Sequence, residues 1–328
     1  MTSATPQSPP VPEDSAAAHL PVLLAESVGL LAPAAGRRVL DCTLGLGGHA
    51  QALLAAGASV LGIDRDPRAR TAAAQRLQQY GAAFALRSGT FGDVAESLVL
   101  EGEVFHGVLA DLGVSSMQLD DEGRGFSLRS AAPIDMRMGD GCSEDALGLI
   151  DRLSEDELAY VIFTYGEERL SRRIARGLKF DRAQGRLTSG EELAAAVRRM
   201  VPGHQPRHPA LRTFQALRIA VNDELGQLTR LLDLLPYLLE PGGVAVVISF
   251  HSLEDRAVKQ SFRAQSQAGA YGEVARRVIE AQPAECALNP RAASAKLRWA
   301  IAASRPTPRH PQARPLPTPS SPAPESTP

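Results

Sequence analysis

The chain has 328 residues, 44% hydrophobic and 22% charged, which is enough to bury a sizeable core in one large domain or two smaller ones. A formal net charge of -2 excludes a globally basic nucleic-acid binder, so any such signal must be local. The three cysteines, Cys42, Cys142 and Cys286, form no C-x-x-C pair, which argues against a disulfide framework or a zinc site and fits a reducing cytoplasm.

Residues 1–18 are rich in Pro, Ser and Ala. They lack the basic start and apolar core of a secretory signal and read as a disordered tail. A strand is expected over Val39–Thr43, a glycine turn and helix over Gly48–Ala56, and a second strand over Ser59–Asp64. Asp66 is placed to cap a helix with Pro67 at its first position, running to about Tyr80. Ala83–Ser88 reads as a short strand, and "GVLADLG" as an apolar strand ending at Asp111. The alternation then stops. From about Val114 to Thr213 the patterns are helical ("SEDELAYVIFTYGEERLSRRIARGLKF", "TSGEELAAAVRRMVP"). A long helix is expected over Phe214–Leu235, then "PGG" and the strand "VAVVISF", too short to span a membrane. Residues 305–328 hold nine of the 24 prolines and read as a second disordered tail. The pattern predicts an α/β fold: a doubly wound parallel sheet from 19–113 and 214–304, with an all-helical insert at 114–213.

The stretch "VLDCTLGLGGHAQALLAAGASVLGIDRDP" is a strand, glycine turn, helix and strand ending in an acid. Gly45, Gly47 and Ala50 fit the dinucleotide fingerprint, and Asp64 stands where a ribose acid is expected, so an NAD-dependent dehydrogenase is one candidate. Asp41 points elsewhere. An acid near a pyrophosphate cradle is unfavourable, whereas it can pair with the ammonium of S-adenosylmethionine. Asp111, at a later strand end, faces the same crevice. The bland alternatives are that Asp41 caps a turn and that the glycines form a tight turn.

The chain resembles the bacterial small-subunit (16S) ribosomal RNA (cytosine-N4)-methyltransferases, the RsmH/MraW family. The resemblance runs from "HLPVLLAE" to "NPRAASAKLR" and includes "DCTLGLGGHA", "GIDRDP", "ADLGVSSMQLDDEGRGFS", "PIDMRM", "GEE", "HPALRTFQALRIAVNDEL" and "VISFHSLEDRAVK". It implies a class I methyltransferase-like sheet, S-adenosyl-L-methionine as donor, and methylation of a cytidine in the decoding centre of small-subunit rRNA, free or in the 30S subunit. Carried over by motif, Gly47, Gly48 and His49 line the methionine side, Asp64 holds the ribose, Phe91 packs near the adenine, and Asp111 and Gln118 complete the donor pocket. The family's "NPRSRSAKLR" appears here with Ala293 in place of an arginine, and Leu46 stands where a polar or basic residue is common.

Cytosine N4 is a poor nucleophile, so the site must align it and drain charge from the amine during attack. Asp111 is the candidate acceptor for that charge, or else only a donor ligand. In "SFHSLED", Ser249, His251, Glu254 and Asp255 are candidates for the cytosine pocket, with His251 a candidate catalytic residue; alternatively Ser252 caps the next helix with Asp255 at capping-box distance. No metal ligand set is expected. From Arg169 to Arg218, twelve basic residues against three acids give a local net charge of +9, which suits RNA phosphates. Arg172, Arg173 and Arg176 are the leading RNA contacts there, sharing a helix face with Arg169. Arg124 and Arg137, nearer the donor pocket, are further candidate RNA contacts that would position the strand. A non-catalytic protein that holds a nucleotide and RNA remains an alternative.

Overall fold

The computed structural model describes residues 21–139, 141–203 and 207–303, so both proposed tails lie outside the described residues. Seven strands form one sheet: β1 (Arg38–Asp41), β2 (Ser59–Asp64), β3 (Phe84–Ser88), β4 (Phe105–Asp111), β5 (Leu239–Ser249), β6 (Tyr271–Val274) and β7 (Lys296–Ala302). Their order is β3-β2-β1-β4-β5-β7-β6. The first five run parallel, and β7 is antiparallel to both β5 and β6. This is the class I methyltransferase arrangement that the resemblance implies. The chain direction across the sheet reverses between β1 and β4, and that switch point opens a crevice at the strand C-termini.

The central strands form because their side chains are buried on both faces. Val108, Leu109 and Ala110 in β4, and Val244 to Ile248 in β5, are nearly continuous apolar runs. One face is covered by helices Phe91–Leu100, Glu224–Leu238 and Ser252–Gln267, the other by Leu24–Leu31, Gly48–Ala55 and Pro67–Leu77. Helix Glu224–Leu238 buries Leu228, Leu231, Leu232 and Leu235, one stripe at helical spacing. Each such leucine contributes about 1.5–3 kcal/mol of transfer free energy.

The helical region has a separate core. Helices Ala146–Arg152, Glu155–Gly166, Ser171–Ala183 and Gly190–Met200 bury Ile150, Ile162, Ile174, Leu178 and Val197 together. Helix Ala210–Asn222 runs across position 213/214, and its Phe214 and Leu217 belong to this second core. The expected single helix over Phe214–Leu235 is therefore two. The break is Asp223, in left-handed conformation at φ 50°. Asn222 beside it donates to the carbonyls of Met136 and Arg218 and accepts from the Met138 amide. β6 and β7 and helix Leu24–Leu31 were not expected from the pattern. Among the described residues no helix is long and apolar enough to cross a membrane.

Candidate active site

A cleft of about 400 Å³ opens at the C-terminal ends of β1, β2, β4 and β5. Its walls come from the glycine turn, both acidic strand ends, the insert and the segment before β7. Gly45, Gly48, His49, Asp64, Phe91, Asp111, Gln118 and His251 all line it. Gly47 does not. It precedes helix Gly48–Ala55 at φ 77°, a conformation open to glycine. At Gly48, a Cβ would lie 2.4 Å from the Pro21 ring, so the missing side chain admits the N-terminal segment.

Asp64 is a staple between two loops. Its Oδ2 accepts the Gly45 amide at 2.8 Å and its Oδ1 accepts the Asp66 amide at 2.8 Å. Each oxygen keeps a further lone pair, so the carboxylate can still accept hydroxyls of a ribose. Burial raises its pKa, opposed by those two amides. Asp41 does not fit the expected ammonium partner. It is 1% exposed and absent from the cleft wall; one oxygen accepts the Thr43 amide at 3.1 Å and the other has no hydrogen-bond partner among the described residues. Burial pushes its pKa up to about 7.

Asp111 is held by its backbone: its amide donates to Thr43 Oγ1 at 2.6 Å. Its Oδ2 lies 3.8 Å from His49 Nδ1, and its Oδ1 is shielded with no hydrogen-bond partner among the described residues. His49 Nε2 faces the Val22 carbonyl at 3.1 Å, and a carbonyl only accepts, so that nitrogen carries the proton. Burial presses the His49 pKa down to about 4, leaving a neutral ring whose Nδ1 lone pair faces Asp111. Burial, then Asp41 and Glu254, push the Asp111 pKa well up. An orphaned acceptor at the neck of a cleft is the arrangement an incoming N–H group would satisfy.

His251 lines the cleft and also caps helix Ser252–Gln267. Its Nδ1 accepts the Glu254 amide at 3.4 Å, while Glu254 Oε2 accepts the Phe250 amide at 2.8 Å and the His251 amide at 3.3 Å. Ser252 is therefore not the cap, and Asp255 is not its box partner. Asp255 instead binds Arg298 at 2.7 and 3.2 Å. Ser249 is buried and donates to the Lys296 carbonyl. Of the four "SFHSLED" candidates, only His251 reaches the cleft wall. Burial opposes ionisation of Glu254, yet His251 and Arg218 hold its carboxyl below the usual range. Glu224, His251 and Glu254 offer three ligand atoms within 4.8 Å of one another. Both carboxylates are engaged, however, since Glu224 forms a two-pronged pair with Arg218 at 2.8 and 2.9 Å. A cation there would face the Arg218 guanidinium.

Gln118 is buried, and its amide donates to Asp66 and to the Met138 carbonyl while its oxygen closes a capping box with Ser115. Arg124 is 16% exposed, paired with Asp66 and bonded to the Arg137 carbonyl, so it ties the insert to β2's exit loop. Burial opposes it, but the Arg124 pair holds Asp66 below the usual carboxylate range. Arg137 is held by Asp135 at 2.7 and 2.8 Å. The +9 segment is also less bare than its count. Arg176 pairs with Glu155, Arg182 with Asp151, Arg186 and Arg199 with Asp181, Arg212 with Glu168, and Arg218 with Glu224. Four of those acids lie just outside positions 169–218. Arg169, Arg172 and Arg173 are exposed, and no ion pair engages them among the described residues. Arg169 precedes helix Ser171–Ala183 and is not on it.

A family model described as the MraW methylase family matches residues 16–303. The chain belongs to the MraW methylase family. Curated relatives of this MraW chain include two proteins named ribosomal RNA small subunit methyltransferase H. The one from Anaeromyxobacter sp. (strain Fw109-5) is 47% identical over 301 residues, covering 85% of this chain and 96% of the relative. The one from Sorangium cellulosum (strain So ce56) is 46% identical over 296 residues, covering 89% and 93%. A solved structure, Aeropyrum pernix fibrillarin in complex with S-adenosyl-L-methionine, is similar at TM-score 0.36 and 12% identity over 85% of this chain and 74% of that one. Membership of the MraW family removes the dehydrogenase alternative. The MraW cleft also contains residues to which the sequence motifs assigned no place in the site: Gln215, Arg218, Asn222 and Glu224, and Asn289, Arg291 and Ser294. They belong to "HPALRTFQALRIAVNDEL" and "NPRAASAKLR", where polar side chains interrupt the apolar period. Ala293, the departure from the family pattern, is exposed beside Ser294.

Proposed function

We propose that this chain transfers a methyl group from S-adenosyl-L-methionine to N4 of a cytidine of small-subunit ribosomal RNA, in the decoding centre and in the context of the 30S subunit. The observation that carries the reading is the Asp64- and Asp111-lined cleft at the sheet's switch point in a chain of the MraW methylase family. The cleft suits the donor. Its volume fits a nucleoside-sized ligand, Asp64 has free lone pairs for ribose hydroxyls, Phe91 offers an adenine-facing ring, and Gly48, His49 and Gln118 bound the far side. When bound, the donor supplies an electrophilic methyl group. Asp111 Oδ1, buried and without a partner among the described residues, accepts an N4–H bond and takes up the proton that N4 sheds as it gains the methyl group, a role that suits a carboxylate whose proton affinity burial raises. His251, on the cleft wall and fixed by its cap, orients the base. Arg169, Arg172 and Arg173 supply phosphate contacts, whereas Arg124 and Arg137 order the wall. The working compartment is the cytoplasm, where the subunit is assembled.

Calorimetric titration with S-adenosylmethionine and with NAD, followed by label transfer from the methyl-labelled donor to small ribosomal subunits, tests the reading. Donor binding with transfer supports it. Binding without transfer to any subunit preparation favours a non-catalytic binder.

A further inference from the structure

Six large apolar side chains are exposed among the described residues. The three aromatic ones, Tyr160, Phe163 and Phe180, all lie on helices Glu155–Gly166 and Ser171–Ala183 of the insert. Phe180 is covered by the Arg186 guanidinium, 5.4 Å from its ring centre. Tyr160 and Phe163 are 67% and 57% exposed, and among the described residues no ring or guanidinium is stacked on either. At i and i+3 they stand side by side on one helix face. Two adjacent exposed rings make a contiguous apolar patch, the kind of surface that suits a binding partner when polar groups rim it.

The neighbourhood indicates what covers them. The turn after this helix carries Arg169, and the next helix opens with Arg172 and Arg173, all exposed and, among the described residues, without an acid partner. The two helices pack together and are tied by Arg176 to Glu155 at 3.1 Å. The surface also borders the cleft. Glu167, four residues beyond Phe163, accepts from Ser252 Oγ at 2.6 Å and from Arg256 at 2.9 Å, and Ser252 follows His251 in the cleft wall. Gln215, also in that wall, donates to the Tyr165 carbonyl at 2.9 Å.

We propose that Tyr160 and Phe163 form a base-stacking platform for unpaired nucleotides flanking the target cytidine, with Arg169, Arg172 and Arg173 on the adjoining phosphates. The proposal rests on the rRNA reading above. Bare rings beside free guanidinium groups match a single strand, whose bases expose π-faces between phosphates; a duplex hides those faces. A second copy of this chain is the poorer occupant, because a self-complementary contact through this patch would bring two clusters of three arginines into one interface.

The test is the full-length Y160L/F163L variant, since leucine keeps apolar bulk but has no π-face. Affinity is measured for a labelled single-stranded oligoribonucleotide carrying the target sequence and for the same strand in a duplex, over a salt series. Wild type should prefer the single strand. The variant should lose about 10- to 100-fold in single-strand affinity with an unchanged salt slope, because stacking releases no counterions. Its KM for small subunits should rise while donor affinity and the saturated single-turnover rate hold. Unchanged single-strand affinity, beside a wild type that binds and methylates, overturns the platform. So does a change of oligomeric state with RNA affinity intact, which would assign the patch to a second copy. Failure of the wild type to methylate subunits would instead remove the rRNA reading itself.

Discussion

Replacing Asp41 by asparagine should make the protein more resistant to unfolding above neutral pH than in acid. The carboxyl is 1% exposed, with one oxygen bound to the Thr43 amide and the other without a partner among the described residues. Burial, opposed by the Thr43 amide and reinforced by Asp64, raises its pKa from 3.8 to about 7. The folded state thus holds this proton more tightly than the unfolded chain. Asp41 costs nothing below pH 3.8, becomes steadily more destabilising as pH rises to about 7, and imposes its full penalty above that. At about 1.36 kcal/mol per pKa unit, the penalty at pH 8 is about 4 kcal/mol. Asparagine keeps the acceptor for Thr43 and removes the charge, but leaves its NH₂ group unpaired at a cost of about 1–3 kcal/mol. The pH dependence is insulated from that constant cost. Urea unfolding of both proteins should show the variant gaining about 2–3 kcal/mol on wild type between pH 5 and pH 8. A stability difference that is flat across this range would refute the reasoning. A large loss of S-adenosylmethionine affinity in the variant would restore Asp41 as the ammonium partner.

Asp64→Ala should weaken both the fold and donor binding, since it removes the shared acceptor of the Gly45 and Asp66 amides as well as the ribose contact. At about 1.5–3 kcal/mol per charged hydrogen bond, donor affinity should fall by more than about tenfold, and calorimetry showing less than a twofold change would exclude the ribose role. Asp111→Asn keeps shape and one acceptor but loses the charge, so single-turnover methyl transfer should fall about 10²–10³-fold with donor affinity nearly unchanged. Preserved single-turnover chemistry would leave Asp111 as a donor ligand only. Changing Arg169, Arg172 and Arg173 together to glutamine should flatten the salt dependence of RNA binding by about 0.7–0.9 for each phosphate no longer neutralised, while Arg176→Gln, already paired with Glu155, should change it least. Equal slopes for all of these variants would remove the insert from the phosphate-binding surface.

Much of the fold was legible because local chemistry and tertiary environment agree. The strand Ser59–Asp64 and the helix capped by Asp66 with Pro67 at N1 match their expected limits at those ends. The expectation of one helix over Phe214–Leu235 failed because the apolar period passes through Asp223 without Gly or Pro. The break depends on Asn222 bonding Met136 and Met138, more than eighty residues away. β6 has four residues including Gly272, too short to show alternation. In the site, the strand-end acids Asp64 and Asp111 could be placed from topology. Asp41 sits at a strand end too, but burial of its side chain is decided by packing that a strand pattern does not contain. His251 was placed at the cleft but its cap was missed; both pairs have the capping-box spacing, and Glu254 rather than Asp255 is the residue type the box prefers at its third helical position. The charge count erred for a simple reason: a net charge over fifty positions ignores pairs such as Arg182 with Asp151 and Arg218 with Glu224 that cross its ends.

The central claim is that the cleft delivers a methyl group to cytosine N4 of small-subunit rRNA. It is tested most directly by incubating the full chain with methyl-labelled S-adenosylmethionine and small subunits lacking the modification, digesting the rRNA to nucleosides and identifying the labelled product by mass. The account predicts label in N4-methylcytidine at a single site, strongly reduced with Asp111→Asn. Label in another nucleoside, or none with any subunit preparation that the protein binds, would contradict it.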